Sequence, residues 1–201
     1  MSPPTASLNA PRLVLASTSQ YRRMLLDRLG VLFTVAAPGI DESAQSGELP
    51  LDLVHRLARR KAEAVAQHHL RSVVVGSDQL AVCGTQVLGK PGSAERCVEQ
   101  LRAVSGQRVV FHTAVHVINS ESGSNEAHVD ATTAHFRTLS GDEIQRYVAK
   151  EKPFDCAGGF KVEALGVTLL DRIDSQDPTA LIGLPLIWLA GALRRLGFEL
   201  P

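Results

Sequence analysis

Three short stretches carry residue types suited to handling an anion. Ser17-Thr18-Ser19 is followed by the adjacent pair Arg22 and Arg23. The apolar run Leu13–Ala16 lies before the serines, and Ser19 is placed to cap a helix from about residue 20 to 29. A strand-to-helix turn presents backbone N–H groups that bind anions, and the hydroxyls of Ser17 and Ser19 add donors. Arginines in a first helical turn oppose the helix dipole by roughly a few tenths of a kcal/mol, and an anion seated between them and the helix end reverses that sign. Taken alone, the pair fits equally well with a solvated face whose arginine stems cover apolar surface.

The second stretch is Gly76-Ser77-Asp78-Gln79. The run Ser72–Asp78 reads as a buried strand ending in an acid, and open α/β sheets place their ligands at strand ends. Asp78 there suits a hard cation or a proton from water. The third stretch is Gly89-Lys90-Pro91, which fixes a lysine in a turn where it can meet a phosphate oxygen. Around these stand Asp41-Glu42, the helical Lys61, and Lys161 with Glu163. A strand over Phe160–Ala164 would put Lys161 and Glu163 on one face. Each of these charges, alone, is also an ordinary surface charge. The seven histidines do not converge on a metal pattern, and His112 and His116 read as one exposed sheet face.

These groups need a frame. Phe33–Ala37 is a second strand candidate. Val54, Leu57, Ala58, Ala62 and Val65 recur at helical spacing and place Lys61 on a helix over about 51–69. In the helix at 20–29, Met24, Leu25 and Leu29 form the expected buried side. Gln79–Val82 and Gln86–Leu88 read as a hairpin, and residues 107–118 and 126–137 as a long antiparallel pair. Ser93 caps a helix to about Val104. Ser140-Gly-Asp-Glu143 has the capping-box pattern for a helix to about Lys150. Further strands are expected over Phe160–Ala164 and Val167–Ile173, and a last helix after Gly183-Leu-Pro185. The expectation is one α/β domain over residues 12–201 with a mixed sheet, and a frayed tail over residues 1–11.

Composition narrows the function classes. Lys+Arg and Asp+Glu are both 21, so the formal net charge is zero, which disfavours a nucleic-acid polymer as partner. Cys83, Cys97 and Cys156 form neither a zinc spacing nor a disulfide framework. Residues 1–11 lack the pattern of a signal peptide, and no apolar run reaches the length of a membrane span. The chain reads as cytoplasmic, with no membrane partner. The long antiparallel pair offers a sheet edge for a homodimer.

The ordered set L-A-S-T-S-x-x-R-R-x-L-L, D-E, L-A-R-x-K-A, G-S-D-Q, G-K-P, S-G, C-A-G-G-F and G-L-P-L, from about Leu13 to Leu196, resembles the Maf family of nucleoside triphosphate pyrophosphatases. The resemblance implies a Maf-like, inosine-triphosphatase-like α/β/α fold, with an elongated mixed sheet and a nucleotide cleft between two lobes. It implies hydrolysis between the α- and β-phosphates with a divalent cation such as Mg²⁺, Mn²⁺ or Co²⁺. By the same carry-over, Asp78 is the general base. Glu42 and Asp78 hold the metal, and Ser17, Ser19, Arg22, Arg23, Lys61 and Lys90 meet the phosphates.

Ser77-Asp78-Gln79 resembles the branch acting on 7-methyl-GTP, whereas the dTTP/UTP branch carries Ala-Asp-Thr. Many members have proline after the second serine; this chain has Gln20 and then Tyr21. Because 7-methylguanine is cationic, it suits an aromatic face and an acceptor carboxylate. Tyr21, Gln79 and Glu163 are therefore expected to set base preference, with Lys161 beside them. A dTTP/UTP pyrophosphatase and a nucleotide-binding regulator of septum formation remain the alternative readings.

Overall fold

A computed structural model describes residues 11–201; the expected tail lies, but for Pro11, outside the described residues. The order of elements is β1 (Arg12–Ala16), α1 (Gln20–Asp27), β2 (Phe33–Ala36), α2 (Pro50–Ala66), β3 (Ser72–Cys83), β4 (Gln86–Leu88), α3 (Ala94–Val104), β5 (Arg108–Asn119), β6 (Asn125–Phe136), α4 (Gly141–Glu151), β7 (Leu170–Asp174) and α5 (Leu186–Arg195). One seven-stranded sheet runs β2-β1-β3-β5-β6-β7, with β4 added to the far end of β3. β1 is parallel to β2 and β3, and the remaining pairs are antiparallel, so the sheet is mixed as expected.

The core divides into two main bodies. One packs Leu13, Leu15, Leu25, Val73, Val75, Leu189 and Leu193 between β1, α1, the start of β3 and α5. The other packs Ala81, Leu88, Leu101, Phe111, Phe136, Ile144 and Phe160 between the end of β3, β4, α3, β5 and α4. Strand β3 joins them because β5 pairs along it without a break from Val73↔Asn119 to Cys83↔Val109. Its other edge changes partner: β1 leaves at Gly76 and β4 begins at Ala81. The interval Ser77–Leu80 therefore has one free edge in the middle of a continuous strand. This corrects the expectation that the strand ends at Asp78. The acid sits mid-strand, and it is the neighbour β1 that ends.

Three further expectations change. No strand forms over Phe160–Ala164. Ala164 and Gly166 both donate to the Lys161 carbonyl at 3.3 and 2.9 Å, folding the chain back, and β7 begins only at Leu170. The alternation argument for Lys161 and Glu163 thus fails. Met24 is 62% exposed and Leu26 is buried beside Leu25, because α1 is rotated by about one residue from the expected phase. His116 is 6% exposed, its ring 6.3 Å from that of His55 on α2. Helix α2 covers that sheet face, and burial lowers the pKa of both His116 and His112.

Two carboxylates stake loops to helices. Glu48 accepts from Arg56 and from the Gln45 N–H, which hold its pKa at about 2, down from 4.5. Glu143 closes the capping box of α4 on the Ser140 N–H and also takes Arg137, and its pKa again falls to about 2. Both pKa values are depressed on folding, so their stabilisation is complete above pH 4.5 and is lost as pH falls towards 2. The melting temperature is expected to drop across that window, and Glu48→Gln to flatten part of the drop. A Glu48→Gln profile parallel to wild type would count against the staking role.

Candidate active site

The N-terminus of α1 carries the donors an anion site needs. Ser19 caps the helix, its Oγ accepting from the Arg22 N–H at 3.4 Å, while Ser17 Oγ accepts from the Ser19 N–H at 3.1 Å. The N–H groups of Gln20 and Tyr21 have no intrahelical acceptor by helix geometry. The first turn contains no acidic side chain. Arg22 folds back and donates from Nε to the Gly183 carbonyl at 3.0 Å. Burial lowers its pKa, an effect opposed by the carboxylates of Asp78 and Glu42. A guanidinium loses its proton only far above neutral pH, so Arg22 remains a cation.

Lys61 is the centre of the site. Its Nζ lies 2.7 Å from Asp78 Oδ1 and 2.9 Å from Glu42 Oε1. The Lys61 and Asp78 side chains are 6% and 9% exposed, whereas Glu42 is 57% exposed. Helix α2 delivers Lys61 because Gly76 lets the helix backbone lie flush on β3. A Cβ there would stand 2.3 Å from the Ala58 carbonyl oxygen and 2.6 Å from the Ala62 nitrogen. Glu42 comes from the loop before α2, which Arg56 holds through Glu48 and the Ser43 carbonyl.

A cleft of about 570 Å³ opens between the two core bodies at the free interval of β3. Its lining includes Ser17, Ser19, Tyr21, Arg22, Glu42, Lys61, Asp78, Gln79, Lys90 and Glu163. Ten of the twelve residues singled out from the sequence thus meet in one cavity. Arg23 is exposed and outside the lining, since one step along the helix turns it away from Arg22. Lys161 is also outside the lining; its Nζ lies 5.8 Å above the Tyr21 ring, 3.8 Å from Glu151 and 4.0 Å from Asp155.

Sequence reasoning passed over several lining residues. Asp155 and Cys156 reach the cleft opposite Tyr21, whose hydroxyl lies 3.3 Å from Asp155 Oδ2. Burial pushes the Cys156 thiol up to about 12, which makes it a poor nucleophile. Leu181, Ile182 and Gly183 form a wall. The glycine-rich 155–159 stretch was a visible signal for the first pair. The wall had only Gly183, the start of G-L-P-L, to mark it, because its contacts with β3 are made across about a hundred residues.

The elongated mixed sheet with a cleft between two bodies defines a fold class. The structure of the Staphylococcus aureus Ham1 protein shares it with a TM-score of 0.53, covering 92% of this chain and 98% of that one at 16% identity. The chain belongs to the Maf-like protein family, whose model matches residues 12–196. Among its relatives is a 7-methyl-GTP pyrophosphatase of Aromatoleum aromaticum, 50% identical over 94% of this chain and 98% of the relative. Enzymes of the same name from Xanthomonas oryzae pv. oryzae and Pseudomonas putida are 53% and 51% identical, over 95% and 94% of this chain and 100% and 98% of theirs. The family and fold implied by the sequence resemblance are both borne out.

Proposed function

We propose that this chain is a nucleoside triphosphate pyrophosphatase that hydrolyses 7-methyl-GTP to 7-methyl-GMP and pyrophosphate. The observation that carries the reading is the charge layout of the cleft. The α1 N-terminus, Arg22 and Lys90 suit a polyphosphate, while Tyr21, Asp155 and Glu163 suit a cationic base. Residues 12–201 act as one domain, since both core bodies line the same cavity. Among the described residues no helix is long and apolar enough to cross a membrane, and we read the setting as cytoplasmic.

In this reading Asp78 takes a proton from water as the water oxygen attacks the α-phosphorus. The bond from that phosphorus to the bridging oxygen breaks, and pyrophosphate leaves with the electron pair. Lys61 fixes the Asp78 carboxylate through its 2.7 Å contact and offsets charge that builds on the phosphates. The substrate brings about four negative charges, which Arg22, Lys90 and the helix N–H groups help to neutralise.

The residues present also fit a hard divalent cation. Among the described residues no group of three His, Cys, Asp or Glu side chains converges. Two carboxylates with substrate phosphate oxygens and water are, however, the usual set for Mg²⁺. Glu42 and Asp78 would supply them, because Lys61 engages only Oε1 and Oδ1, leaving Oε2 and Oδ2 without a hydrogen bond among the described residues. Such an ion supplies further charge neutralisation at the phosphates.

The test is pyrophosphate release from 7-methyl-GTP, GTP, UTP, dTTP and CTP with Mg²⁺, Mn²⁺ or Co²⁺, repeated with chelator. Preference for 7-methyl-GTP, abolished by chelation, is expected. Preference for UTP or dTTP would move the chain to the sister activity, and no turnover of any nucleotide would favour a binding regulator. Glu163→Gln is expected to lower the 7-methyl-GTP to UTP ratio of kcat/KM by about tenfold, one charge-assisted hydrogen bond. An unchanged ratio would take Glu163 out of base reading.

A further inference from the structure

Gln79 and Thr113 are register partners on β3 and β5. Alternation along β3 puts Gln79 on the face opposite Asp78, away from α2 and under the single helical turn Ala180–Ile182. Thr113 is 1% exposed and outside the cleft lining. Its hydroxyl donates to the Ala180 carbonyl at 2.9 Å, so its oxygen accepts from Gln79 Nε2, also at 2.9 Å. The same Nε2 lies 2.9 and 3.0 Å from the carbonyls of Ala180 and Leu181, so its two N–H groups are shared among three acceptors. Two carbonyl oxygens and a committed hydroxyl leave no place there for the amide oxygen, so the Gln79 amide cannot be reversed.

Two consequences follow for the cleft. Gln79 lines it, and no hydrogen bond among the described residues engages Oε1, so Gln79 offers a ligand an acceptor and no donor. The wall Leu181–Gly183 is held to the sheet by the same contacts. At its other end the Gly183 carbonyl accepts from Ser77 Oγ and Arg22 Nε, both at 3.0 Å. Gly183 has φ of +128°, a conformation open to glycine, so the wall keeps this shape without side-chain strain.

We propose that Thr113 is a specificity-determining positioning residue: it holds Gln79 as an obligate acceptor and sets the 181–183 wall against the substrate's base. The base edge selected is one that presents N–H donors, as the N1–H and 2-amino groups of guanine do. The inference rests on the 7-methyl-GTP reading and deepens it.

The experiment uses the purified full chain and compares kcat/KM for 7-methyl-GTP and UTP. Thr113→Val keeps the shape and removes the hydroxyl. The ratio is expected to fall about tenfold, through KM, with kcat on 7-methyl-GTP held within about twofold. Thr113→Ser, which retains the hydroxyl, is expected to keep the wild-type ratio. In a Gln79→Ala background Thr113→Val should lose most of its effect, the remainder reporting its direct bond to the Ala180 carbonyl. A ratio within about twofold of wild type in Thr113→Val overturns the proposal, as does an equal loss in Thr113→Ser or an undiminished loss in the Gln79→Ala background. If Thr113→Val does not fold, Thr113→Ala against Thr113→Ser reads the same difference. If wild type leaves 7-methyl-GTP untouched, the substrate reading fails on its own, and the ratio is read between the two triphosphates wild type separates best.

Discussion

Asp78→Asn is expected to lower kcat for pyrophosphate release about a thousandfold while the protein still folds. The substitution keeps a side chain of the same shape that can still accept from Lys61 Nζ, now 2.7 Å from the carboxylate. What it removes is the basicity that takes the proton from water, and general base catalysis typically contributes about 10²- to 10⁴-fold. It also leaves the buried Lys61 with only the exposed Glu42 as counter-ion. A moderate loss of stability should therefore accompany the loss of rate. Removing the other partner is the contrasting case. Lys61→Met strands a carboxylate with only 9% of its side chain exposed, and breaking a buried pair in that way costs about 3–5 kcal/mol. Single-turnover rates with thermal unfolding of both variants separate chemistry from folding. Asp78→Asn turnover within about tenfold of wild type would remove Asp78 from the role of base.

A large effect on stability is expected from the smallest substitution, Gly76→Ala. The added methyl would meet backbone atoms of α2, the Ala58 oxygen at 2.3 Å and the Ala62 nitrogen at 2.6 Å, which no rotamer change can move. The helix would have to lift from β3, separating Val54 and Ala58 from Ala114, and Ala62 from Val14 and Val74. A cost of about 3 kcal/mol or more is expected, at the upper end of overpacking penalties. Lifting α2 would also draw Lys61 from Asp78, so activity should fall even in the fraction that remains folded. Denaturant unfolding measures the first effect and pyrophosphate release below the unfolding transition the second. A variant as stable as wild type would mean that α2 does not seat on Gly76 as described.

Local signals accounted for much of the architecture. Capping residues Ser19, Ser93 and Ser140 mark three helix starts because their hydroxyls satisfy N–H groups within three residues, a contact the sequence contains by itself. The long β5–β6 pair was readable because its turn is short and its strands adjacent. The strand expected over Phe160–Ala164 fails for the complementary reason. The backbone there folds onto the Lys161 carbonyl and packs beside Phe160, and a composition rich in apolar residues does not reveal that geometry.

The site divides along the same line. Residue type and order along the chain were enough to single out Ser17, Arg22, Glu42, Lys61, Asp78 and Lys90, because each stretch carries its own chemistry. Their convergence belongs to the tertiary structure. It depends on β1 ending beside Gly76, on a continuous β3, and on a helix lying on a glycine so that Lys61 meets Asp78. The tertiary structure also separated neighbours the sequence had paired, leaving Arg22 half-buried against Gly183 and Arg23 exposed. It brought Asp155 to Tyr21 and the 181–183 wall to Gln79 across gaps of about a hundred residues and more. Local chemistry acts through covalent neighbours and is written in order along the chain. Contacts across such gaps form only when burial of two apolar bodies brings the strands into register.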